Sequence, residues 1–227
     1  MVAGSIPAGP TLFLLNYSMS IYGLLIGIAF ALGAQYFSKK NNLIHKKRET
    51  IFIFLLFLFS VIGARSYYVI SNWNYYSQNL DQIINTRGGG LGILGGLIGG
   101  ILFIFIFSKL NKISFIKILD TIAPIVPLCQ SIGRWGNFFN NEIPVWWIES
   151  IFDLILFLIL IKIKKHQTAI YLIGYGIIRF FTEFIRYDTF TINSIKIGQI
   201  ISLVFILIGF IIIRYENLNN KPRINHH

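Results

Sequence analysis

Long uncharged apolar runs limit what this chain can fold into more than any other feature. Crossing the hydrocarbon core of a bilayer takes roughly 20 residues of low charge. Seven stretches approach that pattern: 17–36, 51–70, 90–108, 115–132, 146–163, 169–185 and 197–213. The fourth and fifth are the least regular, because they carry Asp120, Glu149 and Asp153. With 55% of residues hydrophobic and 13% charged, nothing is left over for a soluble domain of ordinary composition. Residues 1–227 are therefore expected to form a single integral-membrane domain. Backbone polar groups at membrane depth must be satisfied within their own segment, so the expected class is all-α and polytopic, with about seven transmembrane helices.

The net charge of +11 would suit nucleic acid, but its distribution argues otherwise. Basic loops alternate with nearly uncharged ones. Lys39, Lys40, Lys46, Lys47 and Arg48 form one cluster, Lys109, Lys112 and Lys117 a second, Lys162, Lys164 and Lys165 a third, and Arg214, Lys221 and Arg223 the last. The intervening loops hold only Arg87, Arg134, Arg186 and Lys196. This is the positive-inside pattern. It predicts an outside N-terminus, outside loops near 71–89, 133–145 and 186–196, and a cytoplasmic C-terminus. The basic side then meets anionic lipid, and no nucleic-acid partner is expected. The first 16 residues lack Lys and Arg, so the first apolar stretch reads as a span and not as a cleaved leader. Cys129 is the sole cysteine, which excludes an internal disulfide. His45, His166, His226 and His227 all fall in predicted cytoplasmic segments. No metal or organic cofactor is indicated.

Ionisable residues inside apolar spans are costly and line cavities or pair with one another. Arg65 lies in the second stretch, Asp120 in the fourth, and Glu149 and Asp153 in the fifth. For Asp120 a helix-terminal pair with Lys117 is expected, and for Asp153 a structural hydrogen bond to a neighbouring helix. Arg179, Glu183 and Arg186 are spaced i, i+4, i+7, on one helix face. They read equally as a structural ion pair or as an anion site with an orienting carboxylate. Gly88, Gly92, Gly96 and Gly100 recur every four residues, a spacing that permits close helix packing. A partly unwound re-entrant stretch over 87–100 is the alternative. The densest polar cluster, Gln130 to Glu142, reads as a loop at the outer interface suited to an anionic head group.

These strings, in this order, resemble the prolipoprotein diacylglyceryl transferases. Gly133-Arg134-Trp135-Gly136-Asn137-Phe138-Phe139-Asn140-Asn141-Glu142 looks like that family's signature. Tyr22-Gly23, Gly63-Ala64-Arg65, Gly95-Gly96-Leu97-Ile98-Gly99, Asp120 to Gln130 and Glu149-Ser150 are similar to further family segments. So are the stretch from Tyr175-Gly176 through Arg179 and Glu183 to Arg186, and Gly198-Gln199. The resemblance runs from residue 22 to about residue 200. It departs at Leu94, where the family often has a histidine. It departs again at Ile143, which alone separates Glu142 from Pro144 where the family carries a long external insertion.

The resemblance implies a bacterial cytoplasmic-membrane enzyme whose helices surround a lipid-binding cavity, with a shortened external loop near 142–146. Its reaction would move the sn-1,2-diacylglyceryl group of phosphatidylglycerol to the lipobox cysteine thiol of a prolipoprotein, releasing glycerol phosphate. Arg134, Arg179 and Glu142 are the implied catalytic residues. Tyr22, Arg65, Gly95, Gly96, Asn137, Asn140 and Glu183 are the implied substrate-binding residues. Arginine suits the task because negative charge builds on phosphate oxygens as the group leaves. The attacking thiol belongs to the substrate, so Cys129 reads as packing. With Leu94 in place, the base is left open among Glu142, Tyr22, water and the phosphate. A small transporter, and a relative that binds phosphatidylglycerol without transferring, are the competing classes.

Overall fold

The computed structural model describes residues 10–86, 89–140, 145–186, 191–192 and 195–219, with side chains from Ile21 onward apart from those of Tyr22, Ile192, Ile195 and Asn219. Glu142, Asn141 and Arg87 lie outside the described residues, and Tyr22 is described only as a position on a helix. The described chain is almost wholly helical. It falls into two compact units, one of residues 1–37 with 119–227 and the other of residues 38–118.

The 38–118 unit is built on α2 (Lys46–Ser71) and α4 (Ile93–Leu110), joined through a short helix α3 (Trp73–Tyr76) and a single 3-10 turn at Leu80–Ile83. Glycine sets the spacing of α2 and α4 at one end and phenylalanine at the other. A Cβ on Gly63 would run into the Gly95 carbonyl, and one on Gly99 into the Phe59 carbonyl. At the opposite end Phe52, fully buried, packs on Phe103 and Phe107 at ring distances of 5.5 and 4.8 Å. The expected four-residue glycine register is thus a packing seam. Its closest approach runs through Gly95 and Gly99, while Gly96 makes only ordinary contact with Ser60. The re-entrant alternative fails beyond residue 92, since α4 is regular from Ile93; Gly88 lies outside the described residues, and among the described glycines Gly89 and Gly90, at φ 86° and 75°, need glycine's backbone freedom.

Gly63→Ala is expected to cost about 1–3 kcal/mol by overpacking, seen as a lower unfolding midpoint in detergent. Gly27→Ala on α1 (Pro10–Lys40), where an added methyl meets nothing within 4 Å, is expected to be neutral or stabilising.

The other unit contains the N-terminal part of α1, α5 (Phe115–Ile122, from Leu119), α6 (Val126–Phe139), α7 (Trp146–Leu160), α8 (Gln167–Ile185) and α9 (Ile197–Asn219). Helices α6 and α7, α7 and α8, and α8 and α9 pack as neighbours. A two-residue antiparallel pair, β1 (Thr191–Ile192) with β2 (Ile195–Lys196), precedes α9. Helices α8 and α9 approach closely at two glycines, Gly176 against the Ser202 carbonyl and Gly209 against that of Ala169. Cys129 packs as expected, its Sγ 3.2 Å from the Ala29 carbonyl oxygen.

Three expectations are corrected here. The fourth apolar stretch is bent by 51° between α5 and α6, where Pro124 and Pro127 interrupt the backbone ladder. The polar cluster after it is no loop as far as Phe139, because α6 carries it in a continuous helix. Gln130, Arg134 and Asn137 recur at i, i+4, i+7, so a helix gathers them on one face while satisfying its own backbone. Asp120 accepts from the Thr168 backbone N–H at 2.7 Å, supplying the first turn of α8 with an acceptor from another helix. His166, which precedes that turn at φ 56°, bonds Glu216 of α9.

Among the described residues four helices, Lys46–Ser71, Ile93–Leu110, Gln167–Ile185 and Ile197–Leu218, are long and apolar enough to cross a membrane, or up to five if the bent pair is one span. The first expected stretch lies within α1, whereas the fifth, 146–163, is helical only as far as Leu160, in the 15 residues of α7.

Candidate functional site

The unit formed by α6 to α9 gathers most of its buried charge around one carboxylate, Glu149 in the first turn of α7. Its residue is 1% exposed. Oε2 faces Arg134 Nε of α6 at 2.9 Å. Oε1 faces Arg179 Nη1 of α8 at 3.0 Å and Arg186 Nη1 at 3.4 Å. Arg179 turns its second terminal nitrogen to Glu183, Nη2 to Oε2 at 2.9 Å, which is the expected i, i+4 pair. Glu149 thus joins an arginine of α6 to one of α8 and one at the end of α8, and removing one member of such a buried set costs more than losing an exposed pair.

Local sequence explains why these groups meet. Arg179 and Glu183 lie one turn apart on α8, and Arg186, at the extended C-cap where that helix ends, still reaches Glu149 of α7. Ser131 and Ser150 lock α6 to α7 beside the cluster, hydroxyl to hydroxyl at 3.0 Å. The end of α8 is held by Lys196, whose ammonium donates to the Glu183 and Arg186 carbonyls at 2.6 Å each. Gly198 lets the first turn of α9 come against the Glu183 carboxylate, where any Cβ would collide, and the positive end of a helix favours that charge. The Gly198-Gln199 string therefore marks a steric requirement.

The two arginines differ in what they have left to give. Both terminal nitrogens of Arg179 are engaged by carboxylates. Arg134 spends only Nε, and among the described residues its Nη1 and Nη2 make no hydrogen bond. Its side chain is 17% exposed. A guanidinium held at one nitrogen with its outer fork open is suited to bidentate contact with an oxyanion. Next to it, a Cβ on Gly133 would meet nothing within 4 Å. Asn137 is buried on the same helix and Asn140 lies at its C-terminal cap.

Of the expected residues, the structure brings Arg134, Arg179 and Glu183 together and places Asn137 on the helix of Arg134. Glu149, the hub, is legible in the sequence as a charge within an apolar stretch and as part of the Glu149-Ser150 string, but it is not among the expected site residues. The signal that would have found it is a carboxylate in the first helical turn of a span, in a chain with arginines in the adjacent spans. Asp153 does not make the expected hydrogen bond to a neighbouring helix: neither carboxylate oxygen has a partner among the described residues.

In the 38–118 unit, Arg65 is buried and spent on backbone carbonyls. It donates to Gln82 and Ile83 at 2.6 and 2.8 Å, and to Gly89 and Gly90 at 3.2 and 2.9 Å. Its guanidinium also lies over Tyr76 and Tyr68, at 5.2 and 5.9 Å. Gly95 lies in the α2–α4 seam and Gly96 beside it.

Comparison with known proteins gives one answer. The profile of the prolipoprotein diacylglyceryl transferase family matches residues 10–146 and 143–215. A phosphatidylglycerol–prolipoprotein diacylglyceryl transferase of Clostridium novyi is 38% identical, with 88% of this chain and 92% of that protein covered. Proteins of the same name from Finegoldia magna and Staphylococcus haemolyticus are 36% and 34% identical, covering 86% and 94% of this chain and 90% of each relative. The chain belongs to the prolipoprotein diacylglyceryl transferase family.

Proposed function

We propose that this protein transfers the sn-1,2-diacylglyceryl group of phosphatidylglycerol to the lipobox cysteine thiol of prolipoproteins, the first step of lipoprotein maturation. The observation that carries the proposal is the Glu149-centred arginine cluster in a member of this family, with the outer fork of Arg134 open. The thiol sulfur forms a bond to a glycerol carbon, the bond from that carbon to the phosphate oxygen breaks, and charge gathers on the phosphate. Pre-oriented cations aimed at that charge lower the barrier. Arg134 binds the phosphate through its open fork. Arg179 is fixed by Glu149 and Glu183 and adds its field without turning away from them. Asn137 and Asn140 hold the glycerol head group. Glu142 and Tyr22 complete the substrate site by the family's motif. Arg65, Gly95 and Gly96 act within their own unit, by holding α2, α4 and the loop before α4 in shape.

The whole chain works as one integral-membrane domain in the bacterial cytoplasmic membrane, with about seven spans, the N-terminus and the shortened 142–146 loop outside, and the C-terminus inside. The alternating basic loops support that orientation. The test is transfer from phosphatidylglycerol to a synthetic lipobox peptide by detergent-purified protein, read as a gel mobility shift. Cys129→Ser is expected to keep the shift, since Sγ is a packing group on α6 and the nucleophile comes from the peptide. Loss of transfer in a folded Cys129→Ser protein would contradict that assignment. A wild-type protein that binds the lipid but gives no shift would contradict the transferase reading itself.

A further inference from the structure

Three carboxylates lie in the α7–α8 core beside the arginines, and they are not equivalent. Glu149 and Glu183 are matched to guanidinium groups at 2.9–3.4 Å. Asp153 is as deeply buried, at 1% exposure, yet neither of its oxygens accepts a hydrogen bond from any described residue. It stands one helical turn after Glu149, i to i+4, on the same face of α7. The charged groups acting on it are Arg134 of α6, Glu149 of its own helix and Arg179 of α8. Tyr171 and Tyr175 of α8 also lie within its electrostatic reach. Gln130 of α6 likewise has a buried side-chain oxygen that no described residue bonds.

A buried carboxylate without donors has much to gain from a proton, whereas one already bonded to arginines has little. Glu149 and Glu183 are occupied in holding the arginines. Among the described residues of this unit the histidine is His166, which precedes α8 and bonds Glu216 of α9. We propose that Asp153 is the proton acceptor that allows the substrate thiol to attack, an assignment that rests on the transferase reading above.

The balance is complete without any further reactant. The S–H proton passes to the Asp153 carboxylate as the sulfur electron pair forms the C–S bond. The C–O bond to phosphate breaks with its electron pair on the phosphate oxygen, in the field of Arg134 and Arg179. The proton then leaves Asp153 for glycerol phosphate or water, which restores the carboxylate.

The test is the rate of peptide transfer between pH 6 and pH 9 for purified wild type, Asp153→Asn and Asp153→Glu. An unassisted thiol with a pKa of about 8.5 is about 3% thiolate at pH 7 and about 75% at pH 9. Asp153→Asn is expected to be about 30-fold slower than wild type at pH 7 and to recover to within about 3-fold at pH 9. Asp153→Glu is expected to keep the wild-type pH profile at a reduced rate. The ratio of rates at the two pH values within one preparation does not depend on how much of the variant folds. A wild-type rate for Asp153→Asn at pH 7 would overturn the assignment, and so would a loss that is equal at every pH. Absence of transfer by wild type at every pH is a different result: it removes the transferase reading, and this assignment with it.

Discussion

Glu149→Gln is expected to be the most damaging single substitution in the chain, losing both stability and transfer. The side chain keeps its shape, so packing is preserved and only the charge goes. Arg134, Arg179 and Arg186 would then share one neutral amide where they had a carboxylate. Removing one partner of a buried ion pair costs about 3–5 kcal/mol because the remaining charge stays desolvated. Three arginines meet at this carboxylate, and among the described residues Glu183 is ion-paired with Arg179. The unfolding midpoint in detergent should fall clearly, and transfer should drop more than 100-fold, roughly the scale of losing a pre-organised charge contact. Glu183→Gln serves as the comparison and should be milder. Equal stability of Glu149→Gln and wild type would show that the arginines do not depend on Glu149.

Arg134→Ala separates chemistry from folding. This side chain makes one ion pair and is 17% exposed, so its loss leaves Glu149 still bound by Arg179 and Arg186. The midpoint should move less than in Glu149→Gln, while transfer falls about 100- to 1000-fold. Arg134→Lys restores charge but not the fork, and should recover only a small part of the rate. Full recovery by lysine would mean that point charge alone matters there and that bidentate geometry does not.

Much of this arrangement is legible in the residues. Uncharged runs foretell the helices, and the i, i+4 spacing of Arg179 and Glu183 foretells their pair on α8, although the helix ends before Arg186. The glycine seam of α2 and α4 is legible as a seam but not in register, since which glycines touch depends on where α4 begins. The bend between α5 and α6 is signalled by Pro124 and Pro127, which hydropathy summed over a window hides. Asp120 illustrates the remaining gap. Its nearest cation in sequence is Lys117, yet the carboxylate bonds the backbone of Thr168, 48 residues away. Glu149 is the same lesson at the site: its partners come from helices before and after it, and only packing brings them to one carboxylate.

The intact mass of a lipobox peptide, after incubation with phosphatidylglycerol and purified protein, tests the central claim most directly. Wild type is expected to add one diacylglyceryl group to the peptide cysteine and to release glycerol phosphate in equal amount, and Arg134→Ala to do neither at a comparable rate. An unmodified peptide with folded wild-type protein, or full modification by Arg134→Ala, would contradict that claim.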